Sequence, residues 1–96
     1  MPEYTIIKYK ANWCGNCNML SKVIDKVIPE FPQVHFETVD VDESKERANS
    51  EGVTTIPTLS FYRNGKKVDT FPGLMSPDSL RHRISDAFNI SPLSIS

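Results

Sequence analysis

The residues of this chain best suited to chemistry are its two cysteines. Cys14 and Cys17 are the only cysteines among the 96 residues, and two residues separate them. Strand-forming residues occupy 4–9, before the pair, and apolar residues recur at helical spacing after it: Met19, Leu20, Val23, Ile24, Val27 and Ile28. Cys14 is therefore expected at the first turn of a helix, where unpaired backbone N–H groups and the helix dipole lower the pKa of a thiol.

The spacing predicts one exposed nucleophilic thiolate, Cys14, and one sheltered thiol, Cys17, which can close a disulfide with it. Cys17 falls on the same helix face as the apolar stripe, which places it on the buried side of Cys14. A purely structural disulfide is disfavoured because so short a loop constrains few unfolded conformations. Zinc needs four ligands, and beyond the cysteines the chain offers only His35 and His82, in unrelated segments. A cluster held by one cysteine pair from each of two subunits remains an alternative.

Strands and helices that could position this pair alternate along the chain. Strands are predicted at 4–9, 34–41, 58–63 and 66–71, and helices at 15–28, 43–49 and 77–88. Asp42 is expected to cap the short middle helix and Gly52 to end it. Asn64-Gly65 is a strong hairpin signal, and Ser76-Pro77-Asp78 is typical of a helix start. The first two strands, joined by a helix, should be parallel, and the last two should be antiparallel.

The length and net charge of the chain are those of one small domain. Residues 1–88 are expected to fold as a unit and 89–96 to form a flexible tail, rich in serine. The net charge of −1 gives no indication of nucleic acid or a membrane surface as partner. We find no apolar run of about 20 residues and no signal peptide. We therefore expect a cytoplasmic protein, and a monomer. A cysteine pair of this kind in a reducing compartment is more often catalytic or metal-binding than structural.

Three separated motifs resemble the thioredoxin family in the right order. Trp13-Cys14-Gly15-Asn16-Cys17 is similar to the family's Trp-Cys-Gly-Pro-Cys, and Ile56-Pro57-Thr58 to its Ile-Pro-Thr segment. Asn64-Gly65 and Gly73 fall where the family has a hairpin turn and a glycine. The resemblance covers 4–88. It implies an α/β thioredoxin-like fold, with a central four-stranded mixed β-sheet flanked by helices, lacking the first strand and helix of full-length thioredoxin.

The resemblance also implies an activity, that of a protein-disulfide reductase. Cys14 would be the nucleophile that attacks a disulfide in a protein substrate, and Cys17 the resolving thiol. Ile56-Pro57 would be a cis peptide bond facing the cysteines, and Trp13, Ile56, Pro57 and Gly73 would line the groove for the substrate chain. Turnover would need thioredoxin reductase or glutathione as electron donor. No bound cofactor and no metal are needed.

Two residues depart from the family pattern. Asn16 replaces the proline between the cysteines, and we expect this to raise the reduction potential above the value of about −270 mV that thioredoxin itself has. Lys8 occupies the place of a buried aspartate beneath the resolving cysteine. We hypothesise that Lys8, its pKa lowered by burial, reaches Cys17 and accepts its proton or stabilises its thiolate. Alternatively, its methylene stem carries the ammonium to solvent.

Two further functions remain alternatives to a general disulfide reductase. A glutaredoxin-like carrier coupled to glutathione is favoured by the short N-terminal part and disfavoured by Trp13 and by the lack of a second glycine after Gly73. The other alternative belongs to a different class, a non-catalytic subunit of a larger enzyme that uses the thioredoxin surface only for binding.

Overall fold

The fold is a single four-stranded sheet with helices on both faces. A computed structural model describes residues 1–93. Its strands are β1 (Tyr4–Lys10), β2 (Val34–Asp40), β3 (Thr58–Arg63) and β4 (Lys66–Pro72), and its helices are α1 (Gly15–Val27), α2 (Lys45–Ser50) and α3 (Pro77–Phe88). The order across the sheet is β2-β1-β3-β4. The mixed α/β fold predicted from the sequence is therefore confirmed.

Strand pairing follows the predicted topology. β1 runs parallel to β2, with Tyr4 opposite Val34, and antiparallel to β3. The β3–β4 hairpin turns at Asn64 and Gly65, whose φ angles of 53° and 81° are those that a tight hairpin turn between twisted strands requires. β1 is thus a central strand, and its C-terminal end leads directly into the cysteine pair.

The two faces of the sheet bury different amounts of apolar surface. Side chains alternate along a strand, so Ile6 points to the face covered by α1 and α3 and Ile7 to the opposite face. The first face holds a twelve-residue core: Ile6, Leu20, Ile24, Val27, Phe31, Val34, Leu59, Phe61, Met75, Leu80, Ile84 and Phe88. The second face, beside α2, holds five buried residues: Ile7, Tyr9, Val39, Ala48 and Tyr62.

Two helix boundaries differ from those predicted. α1 ends at Val27, and Ile28–Glu30 continue as a 3-10 turn, because Pro29 fits the first positions of such a turn but not an α-helix interior. Asp42 was expected to cap α2, but the N-cap is Ser44, which makes no side-chain cap hydrogen bond. The carboxylate of Asp40 instead accepts the backbone N–H of Asp42 at 2.9 Å, so an aspartate turn precedes the helix.

α3 begins and ends as the sequence predicts. Ser76 accepts the backbone N–H of Ser79 at 3.2 Å, Pro77 occupies the first turn, and the helix ends at Phe88, before a left-handed Asn89. After α3, the backbone N–H of Leu93 donates to Glu30 at 2.8 Å. The flexibility expected for 89–96 stays a prediction, and 94–96 lie outside the described residues. No helix within 1–93 is long and apolar enough to cross a membrane.

Candidate active site

The cysteine pair lies where β1 ends and α1 begins. Cys14 is the N-cap of α1, with extended backbone, and its Sγ accepts the backbone N–H of Cys17 at 3.1 Å. The two sulfurs are joined in a disulfide, with Cα atoms 5.3 Å apart. A sulfur that accepts a backbone N–H at a helix N-terminus lies where negative charge is stabilised. The arrangement therefore suits a cysteine that alternates between disulfide and thiolate.

Cys14 is less accessible than the sequence suggested. Cys14 is 7% exposed and Cys17 2% exposed, so both are buried in the disulfide form, although Cys14 is the outer of the two. The pair packs against Ala11 and the partly buried Val41 and Ile56. The expectation of an exposed Cys14 thus needs correction, because Ala11, Val41 and Ile56 pack against the disulfide and cover it.

Trp13 directly precedes the cysteine pair, and its side chain is exposed. It is 72% exposed, yet its indole Nε1 donates to Asp42 Oδ2 at 2.9 Å. Trp13 follows β1 and Asp42 follows β2, so the parallel pairing of these strands brings both residues to one edge of the sheet. A cavity of about 330 Å³ opens between Trp13, Ile56 and the residues of α2, including Lys45. The fixed indole therefore forms one side of a concave surface.

Ile56 packs against the cysteine pair, and Pro57 and Gly73 are joined by a hydrogen bond next to it. The Ile56-Pro57 peptide bond is cis, as the family resemblance implied, and the Pro57 carbonyl accepts the backbone N–H of Gly73 at 2.7 Å. Gly73 has a φ of 103°, which side chains rarely tolerate. Within the described residues, no atom lies within 4 Å of the position that a Gly73 Cβ would take. The space above this backbone is therefore open.

Lys8 lies on the α1 face of β1 and is only 6% exposed. Its Nζ donates a hydrogen bond to Ser21 Oγ, so the ammonium is held against α1 and does not run to solvent along its stem. Burial, and next the charge of Lys10, lower the pKa of Lys8, whereas Asp25 raises it. The structure brings Lys8 to the helix that carries both cysteines, although its hydrogen bond goes to Ser21.

Several features of the structure were not identified from sequence. Ser21 follows Cys17 by four residues and so shares its helix face, a signal that was available. Asp42 could have been placed beside Trp13 from the parallel strands, because their carboxyl ends meet at one edge. Two exposed apolar residues, Met19 and Leu74, border a further cavity of about 350 Å³. Their spacing alone gave no reason to expect exposure.

Comparison with known proteins gives consistent matches. The thioredoxin family model matches residues 2–86. The thioredoxin of Chlamydia trachomatis is 40% identical over 80 residues, which cover 83% of this chain and 78% of that protein. Thioredoxin-1 of Saccharomyces cerevisiae is 34% identical over 83 residues, covering 86% and 80%. The structure of Fasciola hepatica thioredoxin superposes with a TM-score of 0.82 at 34% identity, covering 90% of this chain and 82% of that one.

Proposed function

The chain belongs to the thioredoxin family and is a thiol-disulfide oxidoreductase of thioredoxin type, and we propose that Cys14 is its nucleophile and Cys17 its resolving thiol. The observation that carries this order is the position of Cys14 as the cap of α1, with Sγ on the backbone N–H of Cys17. Cys14 is also the more accessible of the two. A partner disulfide therefore meets Cys14 first.

The proposed reaction has two exchange steps. The Cys14 thiolate attacks one sulfur of a substrate disulfide, and the electron pair of the broken S–S bond leaves on the other substrate sulfur, which takes a proton from water. The Cys17 thiolate then attacks Cys14 Sγ, and the second substrate sulfur departs in the same way. The substrate disulfide gains two electrons, and the Cys14–Cys17 disulfide forms. Lys8 completes the proposed set, because its ammonium is buried against the helix that carries both cysteines.

The substrate chain is proposed to lie between Trp13 and Gly73. Within 1–93, no hydrogen bond involves the backbone N–H or C=O of Ile56, so both groups can pair with an extended peptide. The open space above Gly73 allows the peptide backbone to come close, and the hydrogen bond from the Gly73 backbone N–H to the Pro57 carbonyl holds Gly73 beside Pro57. Disulfide-containing proteins are thus the proposed substrates.

The order of the cysteines can be tested by trapping the mixed disulfide. A reduced Cys17→Ser variant mixed with insulin should accumulate a species in which Cys14 is bonded to an insulin sulfur, visible by mass spectrometry. The matched Cys14→Ser variant should trap less than about one hundredth as much, because Cys17 is sheltered. The proposal would be contradicted by trapping through Cys17 in preference to Cys14. The double variant should trap nothing.

The proposed electron donor is a thioredoxin reductase, with glutathione as the alternative. Equilibration in dithiol or glutathione buffers gives the reduction potential of the Cys14–Cys17 pair. A value near or below about −250 mV would support the reductase, and about −200 mV or higher would support glutathione. Insulin reduction coupled to NADPH through each recycling enzyme in turn should then succeed with only one of them.

The proposed setting is a monomer in the cytoplasm. The radius of gyration of 12.8 Å is that of a folded domain of about 100 residues. A dithiol that must be regenerated as the reductant suits a reducing compartment. Sedimentation of the oxidised and reduced protein should each give the mass of one chain.

A further inference from the structure

Lys8 is the one charged side chain that is buried within the described residues. It is 6% exposed, and it lies on the same face of β1 as Ile6, which belongs to the core under α1. None of the ion pairs within 1–93 includes it. A buried ammonium without a carboxylate costs folding free energy, so its presence here needs a reason.

The hydrogen bonds around Ser21 define what this ammonium can do. Lys8 Nζ donates to Ser21 Oγ, and the Ser21 hydroxyl donates to the backbone carbonyl of Cys17 at 3.1 Å. A hydroxyl carries a single proton, and that proton is already engaged. Ser21 therefore fixes the position of the Lys8 ammonium and does not relay a proton from the Cys17 thiol.

The distance and the surrounding charges allow the ammonium to act on Cys17. Cys17 and Ser21 are four residues apart on α1, so their Cβ atoms are neighbours at about 5–6 Å. The charged groups that influence Lys8 are Lys10 on its own strand and Asp25 on α1. Its cross-strand partners on β2 and β3, Thr38 and Leu59, are uncharged. Asp25 attracts the ammonium but forms no ion pair with it within 1–93, so the charge of Lys8 is not paired before a thiolate forms at Cys17.

We propose that Ser21 is a positioning residue that holds the Lys8 ammonium one helical turn from Cys17, where its charge stabilises the Cys17 thiolate that resolves the mixed disulfide. This inference rests on the resolving role proposed for Cys17. Cys17 loses its proton to water, its sulfur electron pair forms the bond to Cys14, and the electron pair of the broken bond leaves on the substrate sulfur, which water protonates. Lys8 keeps its proton throughout and acts by charge alone.

The test follows the second phase of thionitrobenzoate release. The reduced protein reacts with excess 5,5′-dithiobis(2-nitrobenzoate): attack by Cys14 releases one thionitrobenzoate, and resolution by Cys17 releases the second. In stopped-flow experiments across a pH series, the midpoint of the second phase reports the pKa of Cys17. Lys8→Met should raise this midpoint by about 1–3 pH units, the range typical for the loss of an opposite charge within about 4–6 Å. Ser21→Ala should raise it by a smaller amount.

Lys10→Met is the matched control. It removes the same charge from the same strand, but Lys10 is paired with Asp40 at 3.4 Å and bonded to Asn12 at 2.7 Å. Its second-phase midpoint should stay within about 0.3 pH units of the unmodified protein, because a charge that is partly exposed and already paired is screened.

The outcomes separate this inference from the proposed function. An unchanged midpoint in Lys8→Met, with a normal first phase, would overturn the role of the ammonium. A shifted midpoint in Lys8→Met with an unshifted one in Ser21→Ala would overturn the role of Ser21. If Lys8→Met fails to fold by circular dichroism, Ser21→Ala alone decides. Loss of the first phase in Cys17→Ser but not in Cys14→Ser would instead contradict the proposed order of the cysteines.

Discussion

The two faces of the sheet are stabilised by different kinds of interaction. Under α1 and α3, twelve apolar side chains form one continuous core. Beside the six-residue α2, five buried residues form a thinner layer, in which the Tyr62 hydroxyl donates to Glu51 at 2.7 Å. Lys67 Nζ lies 3.5 Å from the same carboxylate. Hydrophobic burial dominates the first face, whereas polar contacts hold much of the second.

This difference between the two faces bears on the position of the cysteine pair. The cysteine pair lies at the end of β1 shared by both faces, with α1 on one side and the cavity beside α2 on the other. The thick core anchors α1 and therefore the position of Cys14 and Cys17. The thin layer leaves room for a substrate chain next to Trp13. The first face supplies rigidity, and the second supplies access.

The largest test compares two neighbouring isoleucines of β1. Ile6 (1% exposed) belongs to the thick face and Ile7 (2% exposed) to the thin one. Ile6→Ala should lower the free energy of unfolding by about 4 kcal/mol, because the tightly packed core cannot close the cavity, and Ile7→Ala by about 2 kcal/mol. Urea denaturation of both variants provides the measurement. Equal losses would remove the distinction between the faces.

A second substitution removes Lys8, the buried charge on the thick face. Lys8→Met replaces an unpaired buried ammonium with an apolar side chain of similar length, so the free energy of unfolding should rise by about 1–2 kcal/mol. Ser21→Ala serves as the comparison, since it removes the hydrogen bond but leaves the charge, and should lower stability. A stability loss in Lys8→Met would mean that Lys8 is a structural element of the core.

Acid should weaken the thin face through Glu51. The hydrogen bond from Tyr62 is the main cause that lowers the pKa of Glu51 below its usual 4.5. A carboxyl with a lowered pKa contributes stability above its unfolded pKa, and the contribution is lost as pH falls through the folded value. Solvent screens this contribution, because the Glu51 side chain is about one third exposed. Denaturation from about pH 6 to pH 3 should show a shallower decline in Glu51→Gln than in the unmodified chain.

The smallest expected effect concerns Tyr9 on the thin face. Its hydroxyl is buried and makes no hydrogen bond of ordinary geometry within the described residues, although the Tyr62 hydroxyl lies nearby. Tyr9→Phe removes this unsatisfied group while keeping the ring, so the free energy of unfolding should rise by about 0.5 kcal/mol. Thermal denaturation followed by circular dichroism is sensitive enough to detect it. A clear loss of stability would indicate that the hydroxyl bonds to a water molecule.

Sequence predicted the elements whose signals are local. The cap at Ser76, the end of α3 at Phe88 and the Asn64-Gly65 turn were all correct, because each depends on a few adjacent residues. The cap of α2 was wrong because Asp42 had two available partners, its own helix and the distant indole of Trp13. Sequence alone cannot decide between a local and a tertiary hydrogen bond.

The sequence predicted which residues form the candidate site better than it predicted their burial and contacts. The spacing of Cys14 and Cys17 placed the pair at a helix start, where the structure has it. The burial of Cys14 and the contact between Lys8 and Ser21 depend on how α1 packs against β1. That packing is set by the core as a whole, and no short motif reports it.

The first turn of α1 also couples the redox state of the Cys14–Cys17 pair to the stability of the folded chain. The Cys14 sulfur that gains or loses an electron pair also caps the backbone N–H of Cys17. Folding and reduction therefore form a thermodynamic cycle: the stability difference between the oxidised and reduced forms is proportional to the difference in reduction potential between the folded and unfolded chain, through the charge of the two electrons transferred. A change such as Ile6→Ala, which weakens both forms equally, leaves the potential unaltered. A change at the cap alters stability and potential together.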